Sequence, residues 1–132
     1  MSKWTHVNAS IRFDSILHKH PPLPTEKELG LICTINNGSE WENSFIPCGS
    51  EGSLRYNVIK NPNISDSAAM LVVFYGDLRD YDDEREIMHY FKDLVEGQSI
   101  RSAIIEIDIE EEGRYIYSYN QTDKVFDLIK CP

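Results

Sequence analysis

The chain has 132 residues, a formal net charge of −9 and 41% hydrophobic residues. That is the size and apolar content of one domain with its own core. Residues 1–61 carry six acidic and six basic groups, and residues 62–132 carry 16 and 7, so the whole surplus sits in the second half. So negative a field disfavours nucleic acid and anionic membranes as direct partners and favours a protein with a basic surface. The opening Met-Ser-Lys-Trp-Thr-His runs into no long apolar stretch, so neither a signal peptide nor a membrane span is expected. The cysteines, Cys33, Cys48 and Cys131, are too widely spaced for a disulfide scaffold or a CxxC metal site. A cytoplasmic protein in a reducing compartment is the expectation.

From Trp4 to Phe13 the residues alternate, with Thr5, Val7, Ala9, Ile11 and Phe13 on one face. That period of two predicts a half-buried strand. The alternation fades after Asp14, and Pro21, Pro22 and Pro24 stiffen the end of the next stretch. Thr25 and Glu28 have capping-box spacing for a short helix, which Gly30 limits. Leu31 to Ile35 suits a short strand or a buried turn. Residues 36–52 read as a long irregular segment anchored by Trp41 and Phe45, and loops of that length are often functional.

Leu54, Tyr56 and Val58 alternate as a second strand, and Asn61-Pro62-Asn63 makes a turn. Ala68 to Tyr75 is almost continuously apolar, the pattern of a central strand covered on both faces. Ile87, Tyr90, Phe91, Leu94 and Val95 then form one helical stripe, with Asp80 or Asp82 as its cap and Gly97 at its end. Beyond it Ala103, Ile105, Ile107 and Ile109 alternate with Ser102, Glu106, Asp108 and Glu110; Ile104 is the apolar exception on that second face. Glu111-Glu112-Gly113 reverses the chain into a strand bearing Tyr115, Tyr117 and Tyr119. Val125 to Ile129 fits either an edge strand or a short helix.

This order predicts a single α+β domain over 1–132, a two-layer sandwich in which an antiparallel sheet is packed by one strong helix. Ferredoxin-like βαββαβ with additions is the nearest standard topology. A curved antiparallel sheet with one packed helix is the alternative.

Two acidic segments carry the functional expectation. Asp77, Asp80, Asp82, Asp83 and Glu84 lie between the apolar strand and the helix. The segment has neither the glycine nor the terminal glutamate of a calcium loop, so it suits helix capping with a solvated face or a surface for a basic ligand. Glu106, Asp108 and Glu110, continued by Glu111 and Glu112, form the second. Alternate strand positions stand about 7 Å apart, close to the spacing of alternate phosphates along one DNA strand. The bland equivalent is the wet face of an amphipathic strand, whose charge also discourages unwanted sheet pairing. Tyr115, Tyr117 and Tyr119 can close a core at its rim or supply interface anchors.

His18, His20 and His89 assemble no metal set, and no phosphate-cradling glycine loop or nucleophile elbow is present. No catalytic residue, metal or cofactor is assigned. The reading is a non-enzymatic interaction module, an acidic inhibitor of a basic or nucleic-acid-handling protein; inhibitors encoded by phages and mobile elements, including anti-defence and immunity proteins, share this general character. The alternatives are a small enzyme or ligand-binding protein with a site near 77–89 and the 36–52 loop, and a homo-oligomeric subunit joined through its tyrosine face or an edge strand.

Overall fold

A computed structural model describes residues 3–16, 49–60, 67–81 and 83–132. The capping box at Thr25, the 31–35 segment, the turn at 61–63 and most of the long loop lie outside the described residues. The described elements are β1 (Trp4–Ile16), β2 (Arg55–Lys60), β3 (Ser67–Arg79), α1 (Glu84–Val95), β4 (Ile100–Ile109), β5 (Gly113–Asn120) and β6 (Val125–Lys130). The strands form one sheet in the order β2-β3-β1-β4-β5-β6, and every neighbouring pair is antiparallel. This is an α+β fold dominated by its strands.

The alternation of β1 sets the two faces. Val7, Ala9, Ile11 and Phe13 are buried on one side, and Asn8 and Arg12 are exposed on the other. Register carries the division outwards: Phe74 lies opposite Ala9 and Val72 opposite Ile11 on β3, while Ile105 lies opposite Ala9 and Ile107 opposite Val7 on β4. All are buried, and α1 adds Ile87, Met88, Phe91, Leu94 and Val95 to the same cluster. Phe74 meets Phe91 edge-on at 5.1 Å between centroids, which ties the helix to the middle of the sheet.

β3 departs from the expectation of two covered faces. Met70, Val72, Phe74 and Leu78 are buried on the helix side, but Tyr75 on the other face is 49% exposed. Its long apolar run reflects an inner position between β2 and β1, where both edges are paired, rather than a second covering layer. Val125 to Ile129 resolves as the edge strand β6.

The cap of α1 is Asp83, whose side chain accepts from the Arg85 amide at 3.0 Å, not Asp80 or Asp82. Asp80 instead has a left-handed backbone (φ 58°), and its carboxylate accepts from Ser50 Oγ at 2.8 Å. Tyr81 is held by its carbonyl, which accepts from the hydroxyl of the fully buried Thr5. Gly76 makes room for the approach to β2: a Cβ there would stand 2.5 Å from the Ser53 carbonyl oxygen and 2.9 Å from Leu54 Cα.

Two substitutions test these constraints. Gly76→Ala forces two backbones apart and is expected to destabilise the fold by about 1–3 kcal/mol. Thr5→Val keeps the shape but removes the buried hydrogen bond to the Tyr81 carbonyl, with an expected cost of about 1–3 kcal/mol. Urea unfolding followed by circular dichroism reads both; a change below about 0.5 kcal/mol in either would contradict the assigned role.

Candidate functional site

β1 brings together two acidic segments that lie some thirty residues apart in sequence. At its start, Thr5 is paired with Leu78 on one side and Ile109 on the other. The end of β3 and the end of β4 therefore emerge at the same edge of the sheet. Backbone bonds close the junction, with Asp80 N donating to Lys3 O at 2.8 Å and Glu110 N donating to Trp4 O at 3.0 Å. Around this end stand Asp77, Asp80, Asp83 and Glu84 from the approach to the helix, and Asp108, Glu110, Glu111 and Glu112 from the β4–β5 turn. Asp82, another expected member, lies outside the described residues.

Each carboxylate has a definable local state. Asp77 Oδ1 lies 2.5 Å from His6 Nδ1 across the β1–β3 pair, with both side chains substantially exposed. Glu110 Oε1 accepts from the Trp4 amide at 2.9 Å, and Glu112 pairs with Lys3 at 3.2 Å. Glu106 and Asp108 share one cation, Arg114, at 3.4 and 4.0 Å. That guanidinium comes from β5, where register sets Arg114 opposite Asp108. The strand stripe is thus partly neutralised. Glu111 is exposed at the tip of the turn, held there by a left-handed backbone (φ 70°), and no ion pair is formed by Asp80 or Glu111 among the described residues.

The tyrosines lie on the sheet face away from Glu106 and Asp108, and Tyr117 meets the acidic group through Glu84, on the helix side. Tyr115 and Tyr117 lie opposite Ile107 and Ile105, so they share the helix-bearing side and are partly buried against the core. Glu106 and Asp108 point the other way. Tyr117 Oη donates to Glu84 Oε2 at 3.4 Å. Burial raises the pKa of the Tyr117 phenol above its ordinary value, and the Glu84 carboxylate raises it further. Burial alone raises that of Tyr119, whose ring meets Phe126 edge-on at 5.3 Å.

At the opposite end of the sheet a cleft of about 800 Å³ opens between the end of α1 and the β5–β6 hairpin. Lys92, Glu96, Ile100, Tyr119, Lys124 and Phe126 are among its walls. Nothing in the sequence pattern marks it, because its walls come from segments that are unremarkable singly. Asp77, Asp80 and His89 do not line it. His89 stands exposed on α1, 3.5 Å from Asp93. Residues 36–48 of the long loop lie outside the described residues.

Among the described residues no helix is long and apolar enough to cross a membrane. Comparison with protein-family models, with curated proteins and with solved structures gave no match, so the functional reading rests on this geometry.

The tyrosine linkage is directly measurable. A raised phenol pKa means that the fold favours the neutral form. Its contribution is complete below the unfolded value of 10.0 and is lost as pH rises through the higher folded value. Glu84→Gln is expected to lower the Tyr117 pKa only in part, since burial, the first cause, remains. Ultraviolet phenolate titration checks this; a full return to the ordinary value would assign the shift to Glu84 alone.

Proposed function

We propose that this chain is a non-enzymatic interaction module that captures a basic protein through its acidic end. The observation that carries the reading is the meeting of residues 77–81, 83 and 84 with residues 108–112 around the start of β1. Carboxylates outnumber the cations Lys3, Arg79, Arg85 and Arg114 there, and they come from different elements held by backbone hydrogen bonds. A surface so pre-organised is not reordered on binding, and mutual repulsion among its carboxylates is relieved by an incoming cation. Occupation of a nucleic-acid-binding groove is the inhibitory form of this reading, of the anti-defence or immunity type. Arg114 shifts the mimicry from Glu106 and Asp108 towards Asp80, Glu110 and Glu111. The exposed Cys131 thiol suits a cytoplasmic setting.

The strand order supports a ferredoxin-like plan for the scaffold. β3 and β4 are parallel to each other with β1 between them, as β2 and β1 are with β3 between them. Those are two split crossovers, with the β5–β6 hairpin as the addition.

The test uses an oligo-arginine peptide as a probe of basic chemistry. Asp80→Asn/Glu111→Gln and Asp93→Asn/Glu96→Gln each remove two negative charges, from opposite ends of the molecule. The first pair is expected to weaken binding roughly tenfold and flatten its salt dependence, and the second to change it by less than about twofold. Equal losses from both pairs would reduce the effect to net charge and overturn the reading.

A ligand-binding function is the second reading, favoured by the cleft. Its volume of about 800 Å³ falls within the range of small-molecule sites. Aromatic fragments should then perturb the ring resonances of Tyr119 and Phe126 in preference to other aromatics; perturbation elsewhere would count against it.

A further inference from the structure

The sheet ends at β6, and this edge carries an unusual concentration of exposed apolar side chains. Val125 is 48% exposed, Leu128 48% and Ile129 61%. An unpaired edge with such residues is a template for another strand. We infer that β6 pairs antiparallel with β6 of a second copy of this chain, extending the sheet across a two-fold axis.

A second copy is favoured as the occupant by the self-complementarity of Asp127-Leu128-Ile129-Lys130. Laid antiparallel on itself, this segment sets Asp127 opposite Lys130 of the second copy, Leu128 opposite Ile129, and both contacts again by symmetry. Asp127 and Lys130 are three residues apart, which in a regular strand would put them on opposite faces. A bulge removes that obstacle. Tyr117 pairs with Leu128 and Ile116 with Lys130, so Ile129 is the extra residue. Asp127 lies opposite Ser118 and Lys130 opposite Ile116, and Ser118 and Ile116 share the face away from the helix. The two charges therefore point to the same side and can meet across the junction.

Electrostatics selects both place and register. Two chains of charge −9 repel at a distance, but Asp123, Lys124, Asp127 and Lys130 cancel along this edge. Asp127 accepts from Asn120 Nδ2 at 3.3 Å, and neither Asp127 nor Lys130 forms an ion pair among the described residues. Registers that set Asp127 on Asp127, or Lys130 on Lys130, are opposed by like charge. The pairing is isologous, so it closes at two copies. It leaves both helices on one face and sends the two acidic ends in opposite directions. The dimer is independent of the acidic-end reading, since the surfaces are distinct.

Charge swapping at the edge tests it, with mass measured by light scattering and sedimentation. The unaltered chain is expected to dimerise, and Asp127→Lys and Lys130→Asp each to be monomeric with an unchanged circular dichroism spectrum. An equimolar mixture of the two variants, and the Asp127→Lys/Lys130→Asp double variant, should both recover the dimer. A monomeric unaltered chain, or single variants that dimerise as well as it does, would overturn the inference. Should a variant misfold, amide exchange of the unaltered chain decides: residues 127–130 must slow as concentration rises, and concentration-independent exchange rejects the dimer.

Discussion

The position of β1 between β3 and β4 is the constraint on which the rest of this structure depends. The strand is 13 residues long and contributes Val7, Ile11 and Phe13 to the core with at most 1% exposure. Burial of one whole face makes a one-residue slip prohibitive, because it would turn that face to water. Both neighbours are antiparallel to β1 and hence parallel to each other, so the chain must cross over between them. α1 is that crossover, and its apolar stripe closes the core. The same geometry returns the start of the helix and the end of β4 to one end of the sheet. Convergence of the two acidic segments is thus a consequence of strand order.

Much of the scaffold was legible in the sequence because it obeys single periods. The alternation of Val7 to Phe13 is uninterrupted, that of Ala103 to Ile109 is broken only at Ile104, and the 87–95 stripe holds helical spacing. What escaped depends on contacts between segments distant in sequence. Asp80 and Asp82 suit a cap as well as Asp83 does on composition; the choice falls to Asp83 because Thr5 and Ser50 hold the preceding residues. The strand-or-helix ambiguity at 125–129 is settled by pairing with β5, which no local pattern encodes. The acidic residues were legible individually, but their partners were not. Arg114 reaches Glu106 and Asp108 because of the β4–β5 register. Tyr115, Tyr117 and Tyr119 read as a shared face, correctly, yet only pairing with β4 shows that this face belongs to the helix side.

The acidic end and the apolar edge of β6 occupy different parts of the molecule. The acidic end is made of strand ends, a turn and a helix start, while the exposed apolar side chains of β6 lie along a neutral edge. This separation lets one surface respond to salt and another resist it, since screening acts on exposed charges and far less on apolar burial. Joined at β6, two copies would display an acidic surface at each end of a continuous sheet. A partner with repeated basic sites could then engage both, and the gain would follow from effective concentration with no new contact.

In the proposed function the two acidic segments, around Asp77–Glu84 and Asp108–Glu112, act as one surface. Titration of the isotope-labelled chain with an oligo-arginine peptide, followed by backbone amide shifts, tests it most directly. Both segments are expected to move together and fit a single dissociation constant, with Glu111 and Asp80 among the largest responses. Movement of one segment alone, or of the two with separate affinities, would contradict it.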